Sequence, residues 1–191
     1  MLDAVRSIGL ALVQIVLTHW HPDHAGGAAA LAAYTGASVC TGRADADVIR
    51  GDRMGDPAVL TATEEPIMAD IASHVTPAPP CPVDRELDEG DTIAAPNPAD
   101  GQAAVVVAVP GHTPGSIALH LPAERLILTG DIAVNRGGQV SLGPFNTDRE
   151  QAKRSLRRLT ALDVDAVGFG HGDPITKDAN AALATWTDLF A

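Results

Sequence analysis

Thr18-His19-Trp20-His21-Pro22-Asp23-His24-Ala25-Gly26-Gly27 sets three imidazoles and one carboxylate within six positions, directly behind the apolar run Val13 to Leu17. That run is short and rich in β-branched residues, so it reads as a buried strand. Pro22 and the small residues behind His24 mark a tight loop, and Ala28 to Tyr34 then reads as a helix. A loop at a strand's end can turn alternate side chains inward. Imidazole and carboxylate together suit a zinc-like divalent ion. His19 and His21 are spaced to face one ion, Asp23 and His24 to reach a second. A lone histidine in a polar loop is usually no more than a solvated one, but His-x-His-x-Asp-His is too dense a pattern for that reading.

Working outward, Leu2 to Ile8 reads as a short helix stopped at Gly9, feeding the strand Val13 to Thr18. The helix behind the histidine loop ends at Thr35-Gly36, and Ala37 to Cys40 is the next strand. This β-α-β unit carries its ligands at the carboxyl end of its first strand, where loops of open α/β sheets converge. Three later segments repeat the design of apolar strand, then ligand. Ala103 to Val109 runs into His112, Arg125 to Leu128 into Asp131, and Val164 to Phe169 into His171.

Between these segments the pattern is more ordinary. Arg43 to Pro82 is weakly patterned, with Asp45, Asp47, Asp52 and Asp56 among Gly and Arg; Ala69 to His74 reads as helical and His74 as exposed. Val83 to Ile93 reads as strand, turn at Asp88-Glu89-Gly90, strand, and Asn97 to Gly101 as a further turn. Ser116 to Leu121 pairs with Arg125 to Leu128 in a hairpin, His120 being a strand residue. Thr147 with Glu150 forms a capping box for a helix that buries Ala152, Leu156 and Leu159. Its Lys153, Arg154, Arg157 and Arg158 read as a solvated face. Asp178 is placed to cap a final helix with Leu183, Trp186 and Leu189 as core contacts.

These motifs resemble, in order, the signature of the metallo-β-lactamase superfamily. Gly111-His112-Thr113-Pro114-Gly115-Ser116 is similar to its second motif, Thr129-Gly130-Asp131 to its third and Gly170-His171-Gly172 to its last. The resemblance implies an α/β fold of the αββα sandwich type, filling residues 1–191 as a single domain. It also implies a metal-ligand set: His19, His21 and His112 for one ion, Asp23, His24 and His171 for a second, with Asp131 shared. The implied cofactors are two divalent ions, Zn2+ first, with iron or manganese as alternatives. The implied activity is hydrolysis of a small ester, thioester, lactone or phosphoester by a metal-bridging hydroxide, with Asp23 also relaying a proton.

Asp131 in place of cysteine resembles the glyoxalase II-like and general hydrolase branches more than the β-lactamases. Only Asp173 to Ala191 follows the last motif, without the basic helical domain of glyoxalase II. No tyrosine follows Asp131, as it does in lactonases that cleave homoserine lactones. The family also sets several strands ahead of the His-x-His-x-Asp-His motif, where this sequence has Met1 to Leu12. The expectation is an N-terminally shortened sandwich whose uncovered sheet edge is closed by a homodimer or higher oligomer. Two other functions stay open: a mononuclear iron persulfide dioxygenase, and a metal-binding chain without activity.

Composition narrows the rest. The 191 residues are 46% hydrophobic but only 3% aromatic, so Ala and Val carry the core. A formal net charge of −11 argues against nucleic acid or an anionic membrane as partner. It leaves a small-molecule substrate, since bound metal reverses the local potential. Cys40 and Cys81 lack metal-type spacing and point to a reducing cytoplasm. Ile8 to Leu17 is apolar enough to mimic a signal-peptide core, but the histidine motif follows it where a cleavage site would stand.

Overall fold

The computed structural model describes residues 7, 9, 11–94 and 103–191. The turn expected at Asn97 to Gly101, and most of the helix expected over Leu2 to Ile8, lie outside the described residues. The elements of the described residues run from strand β1 (Gln14–Leu17) through the one-turn helix α1 (Pro22–Ala25), α2 (Ala28–Thr35) and β2 (Ser38–Gly42) to α3 (Ala46–Arg50). There follow α4 (Glu65–Ala72), β3 (Arg85–Leu87), β4 (Thr92–Ala94), β5 (Ala103–Ala108), β6 (Ile117–Leu121) and β7 (Leu126–Leu128). The chain closes with the hairpin β8 (Ala133–Arg136) and β9 (Gln139–Leu142), then α5 (Arg149–Leu159), β10 (Ala166–Gly168) and α6 (Ala179–Ala184).

Two sheets result. One is parallel, in the order β1-β2-β3; the other runs β10-β7-β6-β5-β4, with only the β10–β7 pair parallel. The two strands flanking Asp88-Glu89-Gly90 divide between them, β3 pairing with β2 and β4 with β5. Three apolar clusters define the layers. Cys40, Leu87, Ile93, Val106 and Ile117 lie between the sheets. Leu17, Ala25, Ala28, Val39 and Ile49 seat α1 to α3 on the outer face of the parallel sheet. Val107, Ala118, Ile127, Leu156, Leu159 and Leu183 seat α5 and α6 on the outer face of the mixed one. Successive residues of a strand face opposite ways, so Val106 joins the central cluster and Val107 the outer one. The layering is α, β, β, α.

Several local expectations shift by a residue or a turn. The side-chain cap of α5 is Asp148, whose carboxylate accepts from the Gln151 N–H at 2.8 Å. Thr147 Oγ1 instead donates to the Gly111 carbonyl at 3.1 Å, tying the helix start to the His112 loop. Asp178 stands at the N-cap of α6 in a left-handed conformation, φ 55°, and its side chain makes no capping bond. Leu189 is 41% exposed, and Phe190 fills the core in its place. The helix expected from Ala69 starts earlier, at Glu65. Before it stands the fully buried Glu64, which accepts from Arg149 Nη1 at 2.8 Å and from the N–H groups of Thr61 and Phe145 at 3.0 Å each. Arg149 also pairs with Asp188, so three distant segments share one buried ionic knot. Of the basic residues on α5, Lys153 pairs with Glu150 and Arg158 with Glu89, in keeping with a solvated face. Among the described residues no helix is long and apolar enough to cross a membrane.

Candidate metal centre

Strands β5 and β7 both run antiparallel to β6, and β10 runs parallel to β7. Their carboxyl ends therefore lie at one edge, and from that edge the loops of His112, Asp131 and His171 emerge. The parallel sheet meets this edge through the Ile117 N–H, which donates to the Thr18 carbonyl at 2.9 Å. So the His19 loop joins the others. Pro22 opens α1 at a position where its missing N–H costs nothing, and α1 carries Asp23 and His24 on the turn beyond His21.

All seven side chains singled out in the sequence converge, in two clusters: His19, His21 and His112; and Asp23, His24, Asp131 and His171. Within each, the ligand atoms lie within 4.8 Å of one another. In the first, His112 Nε2 is 3.0 Å from His21 Nδ1, and the His19 ring stands nearly perpendicular to both partner rings. In the second, Asp131 Oδ2 is 3.3 Å from Nε2 of His24 and of His171. Asp23 Oδ2 is 3.0 Å from His171 Nε2 and 3.4 Å from His24 Nε2. Ligand atoms about 2.0–2.1 Å from a tetrahedral ion stand about 3.3 Å from one another, which is the spacing seen. Asp131 Oδ2 also lies 3.8 Å from His112 Nε2 and 4.0 Å from His19 Nε2, so one oxygen reaches both clusters.

The donor set fits a cation on independent grounds. His19 Nε2 and Asp131 Oδ1 are buried without a hydrogen-bond partner, a costly state for polar atoms unless something else engages them. Gly170 is part of the cradle: a Cβ there would overlap Asp131 Oδ1 and stand 2.9 Å from His24 Cε1. Depth divides the clusters. His19 and His112 are about as buried as core leucines, whereas the side chains of Asp23 and His171 are 51% and 54% exposed. The second cluster opens to solvent.

Electrostatics follow that division. Burial lowers the pKa of His19, His21 and His112, the last to about 3, so these three imidazoles are neutral and have lone pairs free for a metal. Burial also acts to lower that of His24, but hydrogen bonds to Asp131 and Asp23 outweigh it and raise the value to about 9. The Asp131 hydrogen bond likewise raises His171. Burial pushes Asp131 up, yet His171 and His24 hold it well below the carboxylate range. The His24 hydrogen bond brings Asp23 down to about 2.

Three polar residues of the stretch that follows Asp131, Asn135, Arg136 and Asn146, are engaged away from the clusters. Asn135 is buried, its N–H donating to the His171 carbonyl at 3.1 Å and its Nδ2 to the Asp173 carbonyl at 2.7 Å. It steadies the last loop from behind. Asn146 is buried too and donates to the Gly143 carbonyl, while Arg136 lies over the Phe190 ring. His74 is exposed, and His120 belongs to neither cluster. One residue that spacing does not reveal is Asp45, from the weakly patterned acidic stretch, which is buried between the first and second motif loops.

A sequence profile of the metallo-beta-lactamase superfamily matches residues 2–171. The chain belongs to the metallo-β-lactamase superfamily. Within the superfamily, a hydroxyacylglutathione hydrolase of Cereibacter sphaeroides (strain ATCC 17029 / ATH 2.4.9) is 35% identical over 163 residues, covering 85% of this chain and 49% of that protein. The chain thus spans about half the length of the curated relatives of that kind. The probable metallo-hydrolase YflN of Bacillus subtilis (strain 168) is 30% identical over 191 residues, covering 88% of this chain and 67% of that protein. Among solved structures, TTHA1623 in a di-iron-bound form superposes with a TM-score of 0.71 at 27% identity, covering all of this chain and 83% of that one. The B3 metallo-β-lactamase BLEG-1, at a TM-score of 0.66 and 21% identity over 91% of this chain and 76% of its own, shares the fold.

Proposed function

We propose that this chain is a dinuclear metal-dependent hydrolase acting on a small ester, thioester, lactone or phosphoester. The observation that carries the reading is the position of Asp131 Oδ2, within 4.0 Å of imidazole nitrogens from both clusters. His19, His21 and His112 would hold one divalent ion and Asp23, His24 and His171 the other, Asp131 serving both. Nitrogen-rich donors favour Zn2+; iron and manganese are the alternatives, and the di-iron form of TTHA1623 gives iron weight. Two such ions supply a water activated near neutral pH and a Lewis acid for a carbonyl or phosphoryl oxygen.

The chain's own residues set the stage for this chemistry. His19 and His112 form a buried floor with His21 partly exposed beside them, while the half-exposed rim of Asp23 and His171 gives substrate its way in. Asp23 is ionised across the working pH range and faces that opening, placed to accept or relay a proton at Oδ2. Asp23→Asn keeps the shape and removes the basic oxygen. Full turnover in that variant with its metal content intact would sink the role.

The name of the hydroxyacylglutathione hydrolase puts glutathione-linked thioesters at the head of the substrate panel. The two buried free cysteines support a reducing, cytoplasmic setting, and the outermost position of β1 among the described strands of its sheet supports a homo-oligomer. The test is the metal content of the chain purified without added metal, followed by the panel. About two ions per chain with turnover on an ester or thioester is the expected result. One iron per chain with oxygen consumption, or bound metal with no turnover on any substrate, would overturn the proposal.

A further inference from the structure

Asp45 ends a single 3-10 turn, Arg43–Asp45, at the end of β2. Because β2 runs parallel to β1 with Thr41 beside Leu17, this turn leaves the sheet next to the His19 loop. Asp45 is fully buried, and the donors that reach it are all neutral. Its Oδ2 accepts from the Trp20 N–H at 3.1 Å and from Thr113 Oγ1 at 2.7 Å; its Oδ1 accepts from the Gly115 N–H at 2.7 Å. Trp20 stands between His19 and His21, and Thr113 follows His112. One carboxylate therefore grips both loops of the three-imidazole cluster without touching an imidazole.

The grip is built from two sides. The Thr113 N–H donates to Ser116 Oγ at 3.0 Å, and that hydroxyl lies 2.7 Å from Thr113 Oγ1. Since Thr113 Oγ1 gives its one proton to the Asp45 carboxylate, the proton between the two hydroxyls comes from Ser116. The small turn is thus ordered to present one donor. Gly115 leaves room for it: a Cβ there would stand 2.6 Å from Asp45 Oδ1 and 2.7 Å from Asp45 Cβ.

We infer that Asp45 is a positioning residue that sets the three-imidazole cluster by clamping the His19–His21 loop to the His112 loop. This rests on the metal reading given above. Charge matters as well as shape, because all three donors point at oxygen. Asp45→Asn has one acceptor oxygen and must turn an NH2 towards either the Gly115 or the Trp20 N–H. One loop is then pushed back, and His112 parts from His21.

The experiment is a cobalt(II) titration of the chelator-stripped chain, wild type against Asp45→Asn and Thr113→Val, with chelator competition for affinity. The visible spectrum of the bound ion and the hyperfine-shifted imidazole N–H signals report which cluster is changed. Circular dichroism checks the fold. In Asp45→Asn the expected result is at least a tenfold loss of affinity at the three-imidazole cluster, with its signals displaced and those of His24 and His171 kept. Thr113→Val, which keeps the volume and deletes one donor, should lose less in the same cluster. A folded Asp45→Asn with wild-type affinity and spectrum overturns the inference. So does a loss confined to the second cluster. If Asp45→Asn does not fold, a folded Thr113→Val that binds as wild type does overturns it instead. A wild-type chain that takes up no cobalt overturns the metal reading and this inference with it.

Discussion

Gly170→Ala is the sharpest single probe of the second cluster. The backbone of Gly170 lies outside the left-handed region, so alanine is not refused by conformation; only space opposes it. The added methyl would overlap Asp131 Oδ1 and stand 3.1 Å from Asp131 Cγ and 2.9 Å from His24 Cε1. Non-bonded carbons settle about 3.5–4.0 Å apart, so carboxylate and ring must each retreat by roughly half an ångström or more. The backbone gives little help. Gly170 N–H is bonded to the Gly130 carbonyl at 3.0 Å, and Gly143 packs against the Asp131 carbonyl. Side chains must therefore absorb the move, opening the 3.3 Å contacts of Oδ2 with His24 and His171. Misplacement of about 1 Å at a reacting centre costs about 100-fold in rate. The variant should keep the ion of the three-imidazole cluster, bind the other at least tenfold more weakly, and lose about 10- to 100-fold in turnover. Chelator competition, metal analysis and a thioesterase assay read these out. Two ions held at wild-type affinity, with turnover within twofold of wild type, would refute the reasoning.

Other outcomes follow from the same structure. His24 and His171 have raised pKa values and His19, His21 and His112 lowered ones, so protons compete with the cation only in the second cluster. Between about pH 7 and about pH 8.5 its affinity should rise with pH, by up to about tenfold per unit for each proton displaced, while the first stays flat; parallel profiles in chelator competition would contradict this. Arg149→Met leaves Glu64 fully buried without its guanidinium and should cost about 3–5 kcal/mol, seen as a lower melting temperature; a loss under about 1 kcal/mol would mean that the Thr61 and Phe145 N–H groups suffice. Strand β1 is outermost among the described strands of its sheet and Val13 beside it is 68% exposed, so light scattering at micromolar concentration should find a dimer or larger, and a monomer would remove the edge-pairing proposal.

The ligand loops were legible because each one is a local pattern. An apolar run followed within a few residues by His or Asp needs no knowledge of distant segments, and all seven side chains meet as that pattern implies. Long-range choices were less legible. Val83 to Ile93 reads as strand, turn, strand whether its halves pair with each other or, as here, with β2 and β5. Asp45 sits among acidic residues of similar spacing, and only the approach of Thr113 and Gly115, some 70 positions on, sets it apart. At the start of α5, Thr147 and Asp148 are both able caps; the pull of the Gly111 carbonyl on Thr147 decides between them. Leu189 and Phe190 differ in fate because the last turn rotates the larger side chain inward.

The division of the seven side chains between the two sheets bears on the order of events in folding. His19, His21, Asp23 and His24 hang from the parallel sheet, and His112, Asp131 and His171 from the mixed one. Each cluster draws on both, so neither half of the chain holds a complete set alone. The complete donor set of either cluster exists only once the two sheets have docked. An ion held there would rivet one sheet to the other, and by binding the docked form alone it would oppose their parting.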